Sequence, residues 1–176
     1  RAALLILPSG IVSGVLSPYV GKLTNSHDPK PFAIAGLALA SASIGASALI
    51  TDPGVDPRWM YLVSVFYGVA NAMMWGPLSM IATRNLDRSL AGAGSSVYNT
   101  TRQIGAVIGS AAMAAMMSSQ LERHLGEGAA GQMTGPLPAP LQEPLAQAMS
   151  NSILLPCVVL ALGALAACFF AKTKSW

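Results

Sequence analysis

The chain has 176 residues, of which 53% are hydrophobic and 10% charged, with a net charge of +3. A soluble domain carries about 25% charged residues, so this deficit, with a mean hydropathy of +0.53, excludes an ordinary soluble fold. The basic residues stand singly between apolar runs, so no basic face forms and nucleic acid is excluded as a partner.

Five apolar stretches approach or exceed the roughly 20 residues that span a bilayer. They are predicted as helices at 2–21, 31–51, 59–83, 92–118 and 147–171. Soluble helices of that length show a polar stripe, and these largely lack one. The expected fold is therefore all-α, with about five transmembrane helices and the lipid bilayer as a partner.

The first stretch runs from Leu4 to Val20 and contains Pro8 and Pro18. Gly10 and Gly14 form a small-xxx-small pair that lets helix backbones approach. Residue 1 is Arg, and no small-residue cleavage site follows. The chain is expected to begin inside a longer protein, with upstream helices as partners. The second stretch is almost wholly Ala, Ile, Leu, Gly and Ser.

The third stretch, Trp59 to Thr83, is uncharged. Asn71, Trp75 and Ser79 recur every four residues, so they share one face. Tyr67, Met73 and Met74 lie nearby. Met and aromatic side chains make an adaptable apolar surface, although ordinary lipid or helix packing accounts for the Met residues equally simply. Trp75-Gly76-Pro77 is expected to kink or loosen the helix.

The fourth stretch, Gly92 to Ser118, carries a single charge, Arg102. It lies roughly 15 Å from the start of its helix. A central charge costs at least about 2.5–3.5 kcal/mol on insertion scales. It needs a carboxylate, carbonyls or an aqueous cavity. Either it works in a cavity or it pairs with helix ends and fixes packing, and the sequence leaves both open. Asn99 and Gln103 share a face, and Tyr98 and Arg102 share the adjacent strip. Gly105 and Gly109 form a second small-residue pair.

The fifth stretch, Leu145 to Ala171, holds Pro156, Cys157 and Cys168. Eleven helical residues separate the cysteines by roughly 16 Å, too far for a disulfide. Neither has a nearby His or acidic partner. Apolar packing is their expected role, and no metal or cofactor is expected.

Lys22, Lys30, Arg84, Arg88, Lys172 and Lys174 fall on one side of the alternating topology. Arg58, Arg123 and Arg1 fall on the other. The excess makes the first side cytoplasmic, with the tail 172–176 inside and a loop at about 119–146 outside. Asp28, Asp52, Asp56, Asp87, Glu122, Glu127 and Glu143 all fall in loops. A proton-coupling acid in the membrane is therefore expected outside this chain.

Three segments carry a family resemblance: Leu7-Pro-Ser-Gly10 through Gly21-Lys22-Leu23, the loop to Phe32-Ala-Ile-Ala-Gly36, and Gly92-Ala-Gly-Ser-Ser-Val-Tyr98-Asn99-Thr-Thr-Arg102-Gln103-Ile-Gly105. They resemble the Major Facilitator Superfamily, and within it the 14-helix drug:proton antiporters. The whole chain would correspond to their last five helices. The family's cytoplasmic loop pattern is G-x-L-x-D-x-x-G-[RK]. Gly21 and Leu23 keep it, with Lys22 between them. Asn25 stands where the Asp would be, and Asp28 where the second Gly would be, which puts any gating ion pair of that Asp in doubt. Lys30 follows, and Lys22 and Lys30 are expected at head groups or a neighbouring loop.

The resemblance implies alternating access by two helical bundles. Helices one, three and four would border the cavity, and two and five would support them. Asn71, Trp75, Tyr98, Asn99, Arg102 and Gln103 would line a cavity for small amphipathic, often cationic, substrates exchanged for protons. The expected activity is multidrug efflux and not bond-making catalysis. Two alternatives stand beside it: a same-fold transporter of another metabolite or a lipid, and a truncated membrane scaffold that transports nothing. The length of the native open reading frame separates the last from the others.

Overall fold

The computed structural model describes residues 2–50, 58–125 and 139–170. Among the described residues there is no strand. The fold is all-α, and the described residues form five long helices: α1 (Ala2–Ser26), α2 (Pro29–Ile50), α3 (Arg58–Thr83), α4 (Ala91–Leu125) and α5 (Ala139–Cys168). A short 3-10 turn, Arg88–Leu90, precedes α4. Arg1, Asp52, Asp56, Glu127 and the tail 172–176 lie outside the described residues.

Two of the helices, α2 and α3, are long and apolar enough to cross a membrane, and Ser152–Cys168 within α5 is a shorter apolar helix. At 35 residues, α4 is roughly 52 Å long, which exceeds a hydrocarbon core of about 30 Å.

The helices outrun the apolar runs at several ends. α1 continues to Ser26, through Lys22, Leu23 and Asn25, which the hydropathy pattern placed in a loop. Hydroxyls hold this last part: Thr24 Oγ1 donates to the Val20 carbonyl at 3.0 Å and Ser26 Oγ to that of Leu23 at 3.2 Å. The turn to α2 is left with only His27 and Asp28. Of the expected loop 119–146, the ends 119–125 and 139–146 are helical. No Gly or Pro stops α4 between Ser110 and Leu125, and the next helix breaker is Gly126.

Pro77 does not break α3. It lies fully buried inside a continuous helix. Without an N–H it leaves the Met73 carbonyl unpaired within the helix, and there α2 comes in. A Cβ on Gly36 would lie 2.8 Å from the Met74 nitrogen and 2.9 Å from the Met73 carbonyl carbon. Similarly, a Cβ on Gly68 of α3 would lie 2.6 Å from the Ser9 carbonyl oxygen of α1. These two glycines set the α2–α3 and α1–α3 distances. In lipid no hydrophobic drive pulls helices together, so close backbone approach has to supply the packing.

α3 lies against both α1 and α2, α2 also against α5, and α4 against α5 and more thinly against α3. Leu37, Met74, Ala164 and Ala167 form the core where α2, α3 and α5 meet, flanked by Ile34, Leu78, Leu160 and Phe170. The second and fifth helices thus pack on each other, and α2 is among the most buried elements. Cys157 does more here than fill space. Ser41 Oγ donates to its carbonyl at 2.8 Å, and its thiol donates to the Ser41 carbonyl at 3.3 Å. Both cysteines are free thiols. The outer face of α5 exposes Leu154, Val158, Val159, Leu162 and Leu165, a surface suited to lipid and not to water.

Candidate functional site

The polar strip of α3 is organised along its own axis. Asn71 Nδ2 donates to the Tyr67 carbonyl at 2.9 Å. Trp75 Nε1 donates to Asn71 Oδ1 at 2.9 Å. Both ends of the Asn71 amide are therefore committed, and the indole is held at one orientation. Arg102 of α4 then lies over that indole, with its guanidinium carbon 5.0 Å from the ring centroid. Such a contact is worth about 0.5–1 kcal/mol when exposed and about 2 when desolvated. Asn71, Trp75 and Arg102 are thus joined across two helices.

The other expected lining residues are placed less closely. Tyr98 is half-buried, while Asn99 and Gln103 are exposed. Asn99 Nδ2 donates to the Ser95 carbonyl at 3.0 Å. Every residue from Asn99 to Ala112 is exposed. Among the described residues no carboxylate pairs with Arg102. Gly10, Gly14, Gly105 and Gly109 were expected to bring helices close. Within this chain a Cβ on any of them would meet nothing within 4 Å, and the close approaches to another helix's backbone fall at Gly36 and Gly68.

A second polar cluster sits at the α1–α2 turn. Asp28 caps α2, accepting from the Lys30 N–H at 3.2 Å. It also pairs with Arg84 Nη1 at 2.8 Å, and the Arg84 side chain is only 8% exposed. An ion pair therefore does form at this turn, through Asp28 and not through the Asp position that Asn25 occupies. Lys30 turns inward: its Nζ donates to the Cys168 carbonyl at 2.7 Å and to that of Phe170 at 2.9 Å. An ammonium at a helix C-terminus satisfies orphan carbonyls and favours the helix dipole. Lys22, Gly21, Leu23 and Asn25 remain exposed. The cluster ties the ends of α2, α3 and α5 together beside a cavity of about 330 Å³ lined by Thr24, Asn25, His27, Asp28, Met80 and Arg84.

The Arg84 guanidinium, helped by the Lys30 N–H, holds the Asp28 carboxyl below its ordinary range. A depressed folded-state value adds stability above the ordinary pKa and loses it as pH falls through the depressed one. The pair is partly exposed, so its contribution is under about 1 kcal/mol. Asp28→Asn should lower the melting temperature in detergent by a few degrees at neutral pH. The gap from wild type should close below about pH 4.

A third feature escaped the pattern of the sequence. α1, α2 and α3 enclose a cavity of about 260 Å³ whose lining includes Ser9, Ser43, Ser47, Ser64, Met60 and Tyr67. Three of the hydroxyls are turned back on their own helices: Ser9 to Ile6, Ser43 to Leu39 and Ser47 to Ile44. Back-bonding of this kind satisfies a hydroxyl in an apolar surround. The Ser9 N–H donates across to Ser64 Oγ at 3.2 Å. Scattered serines in small-residue runs carry no period that would have revealed the cavity.

The sequence model of the Major Facilitator Superfamily matches residues 1–110. The chain belongs to that superfamily. It is 44% identical over 119 residues to the uncharacterized MFS-type transporter Rv1250 of Mycobacterium tuberculosis, covering 65% of this chain and 20% of that protein. It is 28% identical over 112 residues to the MFS-type transporter YcnB of Bacillus subtilis, covering 64% and 24%. It is 24% identical over 110 residues to the lincomycin resistance protein LmrB of Listeria monocytogenes, covering 62% and 23%. The chain thus spans about a fifth to a quarter of the length of these curated relatives. No solved structure matches it. Membership of the Major Facilitator Superfamily makes this a membrane protein of a transporter family.

Proposed function

We propose that this chain is the C-terminal part of a multidrug efflux transporter of the 14-helix drug:proton antiporter type, working by alternating access in the cell membrane. The observation that carries the reading is the Asn71–Trp75–Arg102 array. A polar and aromatic wall joins α3 to α4, and α4 is exposed all round from Asn99 to Ala112. Such a charge is retained in a membrane helix where it meets a cavity or substrate. The similarity to lincomycin resistance proteins supports the drug assignment.

In this reading α3 and α4 present Asn71, Trp75, Tyr98, Asn99, Arg102 and Gln103 to small amphipathic substrates. The coupling acids and the opposing bundle come from the protein's upstream helices. The basic turns bearing Lys22, Lys30, Arg84 and Arg88 lie in the cytoplasm.

Expression of the full-length transporter in an efflux-deficient bacterial host tests the proposal. Cells should accumulate less of several unrelated amphipathic dyes than cells carrying the empty vector. A protonophore should abolish the difference. Unchanged accumulation of every dye, with the protein present in the membrane, would refute the assignment.

A further inference from the structure

We propose that the α3–α4 wall selects amphipathic substrates whose polar end is an anion, and that the Arg102 guanidinium receives it. This rests on the efflux reading above and narrows its substrate class.

Arg102 lies over the Trp75 ring and near Tyr98, and among the described residues no carboxylate pairs with it. A Trp ring engages a guanidinium through its π face and leaves most of the five N–H donors without an acceptor. They therefore stay available for a ligand. Asn71 does not compete, because its amide accepts from Trp75 and donates to Tyr67. Asn99 spends its donor on Ser95. The guanidinium is thus the strongest donor that this wall presents.

The charge balance points the same way. Among the described residues the carboxylates Asp28, Asp87, Glu122 and Glu143 all fall outside the central turns of the helices. The wall is therefore net cationic at membrane depth. Charges interact far more strongly there than in water, so the sign of the wall decides which ligands enter. A carboxylate, sulfonate or phosphate meets a planar fork that binds such groups in bidentate fashion. A cationic head meets repulsion. The indole beside the fork offers an apolar surface for the rest of an amphiphile.

Everted membrane vesicles containing the full-length transporter, energised to acidify their interior, supply the test. The probes are two xanthene dyes of matched size, one with a carboxylate head and one with a cationic head. The wild-type protein should take up the anionic dye faster, by about tenfold. Arg102→Gln should slow the anionic dye far more than the cationic one and so remove that advantage. Arg102→Lys, which keeps the charge and loses the fork, should fall between. Membrane levels of each variant are measured on the same vesicles. If Arg102→Gln does not insert, the wild-type preference and the Arg102→Lys ratio still decide. Faster uptake of the cationic dye by the wild type would overturn the proposal and leave efflux intact. So would an equal loss of both dyes in Arg102→Gln, the result expected if the guanidinium instead pairs with a carboxylate elsewhere in the protein. Uptake of neither dye would contradict the efflux reading itself, and this inference with it.

Discussion

Gly36→Val and Gly68→Val should each prevent the helices from closing, with the folded transporter nearly lost from the membrane. A Cβ on Gly36 meets the α3 backbone at 2.8 and 2.9 Å, and one on Gly68 meets the α1 backbone at 2.6 and 2.8 Å. Neither obstacle is the movable tip of a side chain. A whole helix must therefore retreat, and the adjoining contacts go with it. Overpacking commonly costs about 1–3 kcal/mol, and valine adds two further carbons in the same place. Gly163→Ala is the control. Its Cβ would reach Leu37 Cδ2 at 3.8 Å, an ordinary van der Waals contact. Detergent-solubilised full-length protein, followed by size-exclusion chromatography and thermal melting, reads all three. The two valine variants should aggregate or melt far below the wild type, and Gly163→Ala should match it.

Arg102→Ala should cripple efflux of amphiphiles with an anionic end while the protein still inserts. Alanine removes a charge from the membrane interior, so insertion becomes easier. What disappears is the stack on Trp75 and the donors beside it. A charge-assisted hydrogen bond is worth roughly twice a neutral one, so transport should fall by at least about tenfold. Resistance of cells expressing the full-length variant, set against its membrane level, measures this. Normal resistance would remove Arg102 from the mechanism and leave it a packing role.

The sequence made some of this legible and hid the rest for physical reasons. Uninterrupted apolar runs located α2 and α3, because length and hydropathy alone decide whether a helix can sit in a bilayer. The strip Asn71–Trp75 could be read from its four-residue period, which is the geometry of one helix face. That Arg102 meets Trp75 could not, since two helices are docked by packing and not by spacing. Asp28 followed by Pro29 is a helix-start pattern, so its capping role was open to inspection. Its partner Arg84 is 56 residues away, beyond any local rule. The glycine pairs at Gly10/Gly14 and Gly105/Gly109 fitted a packing motif, yet the tight contacts fell on Gly36 and Gly68. A motif shows that a close approach is permitted. Which neighbour arrives depends on the whole bundle.

The central claim is that the α3–α4 strip faces a water-filled path used by substrate. Asn99→Cys and Gln103→Cys, each in a full-length transporter otherwise free of cysteine, test it most directly, with Val158→Cys on the outer face of α5 as the comparison. A small membrane-impermeant thiol reagent should label the first two, and substrate should slow that labelling, while the α5 position should stay unreactive. Labelling that substrate leaves unchanged, or silence at both α4 positions, would contradict the account.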